Sequence, residues 1–106
     1  MTKLVNLTPH TLNLIAADGS TVDIPPSGNI ARVSSTSAIV ATVNGISINR
    51  QTFGKVMDLP DAQNDVVFIV SRMVKDRVPD RDDVVVPGVP FRDTDGKVIG
   101  AWGLSL

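Results

Sequence analysis

The stretch from Asp65 to Asp83 constrains the fold more than any other. It opens with Val66, Val67, Phe68, Ile69 and Val70, five consecutive apolar residues. An extended run alternates its side chains between two faces, so both faces of this one must be covered, and a central strand is predicted. The run breaks at Ser71. A serine hydroxyl can accept from a free amide at a helix start, and Met73, Val74 and Arg77 then fall at helical spacing until Pro79. A helix from Arg72 to about Val78 is predicted, too short to stand without packing. Pro79-Asp80-Arg81-Asp82-Asp83 turns the chain afterwards.

The remaining chain is punctuated at short intervals. Lys3 to Leu7 reads as a strand, ended by a bend at Thr8-Pro9-His10, where proline removes an amide donor. Apolar segments flank Asp18-Gly19, Asn44-Gly45 and Asp95-Gly96, three hairpin signals. Pro25-Pro26-Ser27-Gly28 is a corner, Ser34 to Ser37 a polar connector, and residues 59–65 a loop. Asn49 to Met57 fits either a strand or an irregular turn. Val84 to Val86 is a second buried strand, stopped by Pro87-Gly88. Counted together, these features predict an α+β, mainly β fold: a compact antiparallel barrel or sandwich of about eight short strands with one short helix. At 106 residues, one domain over 1–106 is expected.

Composition narrows the functions. All eleven acids are aspartates, a residue of turns and caps, which agrees with a helix-poor chain. Net charge is −1, so no long-range field draws phosphate and general nucleic-acid binding is disfavoured. There is no cysteine, which excludes disulfides and thiolate zinc sites. The first ten residues lack an apolar signal-peptide core, and no window is long enough to span a bilayer; a cytoplasmic protein with no membrane contact is the expectation.

No catalytic constellation stands out. His10, the only histidine, has no nucleophile or ligand partner at a useful spacing, and is read as a bend residue that could contact a ligand. Asp80, Asp82 and Asp83 do not form a calcium-loop pattern, so neither a metal nor a cofactor is predicted. Ser71-Arg72, at the exit of the buried strand, is the best small-molecule signal, because a guanidinium offers a planar fork of donors. Arg32, Arg81 and Asp83 complete the predicted ligand-binding set with Ser71, Arg72 and His10. Whether the arginines converge is a question for the tertiary structure.

Asn-Leu-Thr-Pro-His at 6–10, Ile-Pro-Pro-Ser-Gly at 24–28, Ala-Arg-Val at 31–33 and Phe-Gly at 53–54 carry a further signal. It continues through Leu-Pro-Asp at 59–61, Ile-Val-Ser at 69–71, Arg81 with Asp83, Pro87 and the Gly100 to Leu104 tail. In these the chain resembles a group of small proteins of tailed bacteriophages and their bacterial hosts, over nearly its whole length. That group often has a cysteine where this chain has Ala101, which argues against an essential thiol. The resemblance implies a phage or prophage setting and transfers no mechanism. The expected function is a non-enzymatic accessory protein of the host cytoplasm that binds a host protein or sequesters a small anionic ligand such as a signalling nucleotide. A virion structural or capsid-decorating protein is the alternative, and a small hydrolase using His10, Ser27 or an aspartate pair ranks last. Apolar edge strands in so small a barrel are compatible with a homodimer.

Overall fold

The computed structural model describes residues 2–106. Eight strands and one helix follow in the order β1 (Lys3–Asn6), β2 (Leu12–Ile15), β3 (Thr21–Ile24), β4 (Arg32–Val43), β5 (Ile46–Met57), β6 (Val66–Ile69), α1 (Arg72–Arg77), β7 (Val84–Arg92) and β8 (Val98–Ser105). The mainly β class, the strand number and the single short helix agree with the sequence. Six strands form one sheet in the order β1-β6-β7-β8-β2-β3, and β4 pairs only with β5. The six-stranded sheet curls towards a barrel, with its two edge strands joined at one end through Asn6.

The pairing departs from the purely antiparallel expectation. β1 and β7 both run parallel to β6, and β2 runs parallel to β8. The reason is visible in the chain between β6 and β7. Parallel neighbours need a crossover, and α1 lies within it. The uninterrupted apolar runs of β6 and β7 are the signature of such strands, whose two faces are both covered. Phe68, Ile69, Val70, Val84 and Val86 are almost wholly buried. Apart from Ile69, which alternates to the other face, they pack with Leu7, Ala31 and Val74 into one core cluster, and Val33, Val56, Leu59 and Val78 close over it.

Each X-Gly signal marks a hairpin, β2–β3, β4–β5 and β7–β8. At the Asn44-Gly45 turn both residues have positive φ, the geometry such a two-residue turn requires. One connector predicted from composition is overridden and one segment left open as strand or turn is settled. Ser34 to Ser37 belongs to β4, and Asn49 to Met57 completes β5, because each strand satisfies its amides on the other. β7 also runs on through Pro87-Gly88. Beyond Val85 it has β8 on one side only, so a residue without an amide proton is tolerated there.

The β4–β5 hairpin also overturns the expectation of compactness. Every residue from Ser35 to Thr52 is exposed, and the molecule measures 54 × 40 × 24 Å. Its radius of gyration is 16.9 Å, against roughly 13 Å for a compact chain of this length. The hairpin is an arm, rooted in the core by Val33 and Val56. No helix is long and apolar enough to cross a membrane among the described residues.

Candidate functional site

Ser71 behaves as the sequence predicts. It is the N-cap of α1, and its Oγ accepts from the Val74 amide at 3.4 Å. Its hydroxyl is thus committed to the helix. Arg72 follows directly and is exposed, on the side of α1 that meets β7 and β8.

Arg72 lies between two surface cavities. One, of about 440 Å³, is lined by Pro87, Gly88, Val89, Trp102 and Leu104 together with Arg72. The other, of about 610 Å³, is lined by Phe53, Met73, Asp76 and Arg77 together with Arg72. Both are shallow and open to solvent. Each carries an aromatic ring. Trp102 is 51% exposed and is held edge-on by Phe91, with ring centroids 5.2 Å apart and planes at 85°. The Arg77 guanidinium carbon lies 5.5 Å from the Phe53 ring centroid, a cation–π distance. Phe53 stands at the root of the arm, so the arm supplies one wall.

Charge is unbalanced in this region. The one ion pair among the described residues is Arg81 with Asp83, so Arg72 and Arg77 both lack a carboxylate partner. A guanidinium without one retains its capacity for an anion.

Arg81 and Asp83 are differently employed. Arg81 Nη2 and Nε donate to the two carboxylate oxygens of Asp83 at 2.7 and 3.0 Å, and Nη1 donates to the Pro60 carbonyl at 3.0 Å. The Arg81 hydrogen bond, with its charge, holds the Asp83 carboxyl below the usual carboxylate range, and Asp83 in turn makes Arg81 harder to deprotonate. Buried Lys75 donates from Nζ to the Arg81 carbonyl at 2.8 Å. These bonds lash the turn after α1 to the loop before β6. The guanidinium fork of Arg81 is filled from within the chain.

The other two predicted residues stand elsewhere. Arg32 is exposed where the arm leaves the body, paired in register with Met57. His10 lines a third, largely apolar groove of about 480 Å³ with Leu12, Pro90, Val98 and Ile99. The structure therefore brings Ser71 beside Arg72 and Arg81 beside Asp83, and does not gather all six residues in one cavity. Among the described residues no three potential metal ligands of the His, Cys, Asp and Glu type converge.

Trp102, Phe53 and Arg77 were not singled out by sequence reasoning. The exposure of Trp102 has a faint sequence signal. It alternates with Ala101, so one of the two must face outwards, but the larger apolar residue would ordinarily be the buried one. Phe53 and Arg77 are 24 positions apart in the chain and meet only because α1 packs beside the arm root.

The chain matches no known protein family, no curated protein and no solved structure.

Proposed function

We propose that this is a non-enzymatic, phage-type binding protein of the host cytoplasm. It holds a small ligand that joins a planar ring to an anionic group, a nucleotide being the simplest example, in the double cavity around Arg72. The observation that carries this reading is Arg72 itself: exposed, without a carboxylate partner, and bordered on each side by a cavity containing an aromatic ring. Trp102 offers a face for stacking, and Arg72 with Arg77 offers donors to a phosphate. Asp76 in the lining of the Phe53 cavity disfavours a ligand charged along its whole length. Nothing in this arrangement calls for bond breaking.

Trp102 is the only tryptophan, so its fluorescence reports on the cavity directly. Titration with nucleoside mono- and diphosphates and with cyclic dinucleotides is expected to quench it saturably. Calorimetry should give the same affinity. The absence of quenching and of heat with every nucleotide up to millimolar concentration would reject the reading.

A host protein as the bound species has a separate observation in its favour. Val89 and Trp102 form a cross-strand pair on the β7–β8 ladder, and both are more than half exposed. A half-exposed tryptophan beside an apolar neighbour is the composition of an interface centre. Retention of a host protein by the wild-type chain and its loss in Trp102→Ala, without any nucleotide effect, would favour this second reading.

A further inference from the structure

We infer that the β4–β5 arm is a self-association device, and that its tip seats in the His10 groove of a second copy of this chain, reciprocally about a twofold axis. The inference is independent of the ligand proposed above.

The arm is an unusual object to leave in water. A two-stranded hairpin is marginal by itself, and natural proteins protect free strand edges with charges. From Ser34 to Asn49 there is not one charged residue, in a chain where one residue in five is charged. The tip is apolar instead. Register places Val43 opposite Ile46 and Ala41 opposite Ile48, which puts these four on one face. Ile46 is 69% exposed, and Ile39, Val40, Val43 and Ile48 are each about half exposed or more. A strand pair built this way requires a cover.

The same chain presents a surface of matching character. The His10 groove is lined by Leu12, Leu14, Pro90, Val98 and Ile99 among others, and its lining contains no aspartate, lysine or arginine. Val98 and Ile99 are half exposed at its rim. An uncharged apolar tip suits it, and a charged occupant would be desolvated without compensation. The arm does not line the groove of its own chain. The arm is held in its extended position by a ladder of ten register pairs and by Val33 and Val56, packed against the core at its root.

The area is sufficient. The part of the arm that stands clear of the core, Ser35 to Thr52, has about nine residues per strand and is about 30 Å long and about 10 Å wide, so one face offers roughly 300 Å². Reciprocal seating of the exposed arm, with its tip in the groove, covers one arm face and one receiving surface on each copy, roughly 600 Å² per partner, at the lower end of stable interfaces. A twofold exchange also closes on itself and leaves no arm uncovered.

Light scattering during gel filtration at tens of micromolar tests the mass. The wild type is expected at twice the chain mass of 11.3 kDa. Ile46→Asp with Ile48→Asp is expected to weaken association at least a hundredfold, with an unchanged circular dichroism spectrum, because both positions are exposed. The absence of cysteine allows a second, geometric test. An Ile46→Cys chain mixed with a Val98→Cys chain should form a disulfide-linked pair under mild oxidation. A monomeric wild type would overturn the inference. So would an unchanged mass in the double aspartate variant, or linkage of Ile46→Cys chains to one another with none to Val98→Cys.

Discussion

Asn6 Nδ2 donates to the carbonyl of Ile24 at 3.0 Å and so ties together the ends of β1 and β3, the two edges of the six-stranded sheet. The same amide nitrogen donates to the His10 carbonyl at 2.8 Å, and Oδ1 accepts from the Thr8 amide and hydroxyl at 2.9 and 2.6 Å. Asn6 is 1% exposed. The Asn-Leu-Thr-Pro-His motif is thus a closure device, in which one side chain satisfies four groups. Asn6→Ala strands several of them, and at about 1 kcal/mol each should cost roughly 3 kcal/mol. Urea unfolding checks this as a lowered midpoint with the slope retained.

The Arg81–Asp83 pair makes stability depend on acidity. The Asp83 pKa is depressed in the folded state by the Arg81 hydrogen bond. Its contribution is therefore complete above the unfolded carboxylate pKa, about 3.9, and is lost as pH falls through the folded value. Asp83→Asn should cost about 2 kcal/mol at pH 7, the range for hydrogen bonds to charged groups. It should also flatten the decline in stability below pH 4. Thermal melts from pH 7 to pH 2 on both proteins make the comparison.

Gly88 is required by contact rather than by turn geometry. A Cβ at that position would collide with the backbone carbonyl of Trp102, which is fixed in the β7–β8 ladder. Gly88→Ala is expected to destabilise by about 2 kcal/mol, the usual cost of overpacking, and to shift the Trp102 emission spectrum. Neighbouring Val89→Ala, at a position 70% exposed, should stay within about 0.5 kcal/mol.

For the ligand site, Arg72→Ala should weaken nucleotide binding tenfold or more, corresponding to about 1.4 kcal/mol for one lost charged hydrogen bond. Trp102→Ala should do as much through lost stacking. Arg50→Ala on the arm should leave affinity unchanged. A nucleoside lacking phosphate should bind the wild type and Arg72→Ala alike, which separates the charge contribution from the ring contribution by calorimetry.

The elements that chain-local physics governs could be read directly. Val66 to Val70 had to be interior, since five adjacent apolar side chains cannot share one face. Ser71 had to cap what followed, and the three X-Gly pairs had to turn, because few other residues accept positive φ. The tertiary structure decided which strands are neighbours. Parallel pairing of β1 with β6 joins segments about sixty residues apart, and no local pattern encodes that choice. It also decided that the segments around Asn44-Gly45 would extend as one exposed arm, which hydropathy periodicity misses when no face is buried.

The arginines show the same division. Their number and the position of Arg72 after a buried strand are sequence properties. That Arg81 is filled by Asp83 and Pro60 while Arg72 stands open between Trp102 and Phe53 depends on packing. A guanidinium's availability is set by what lies within a few ångströms of it, and that neighbourhood comes into being only when distant segments meet.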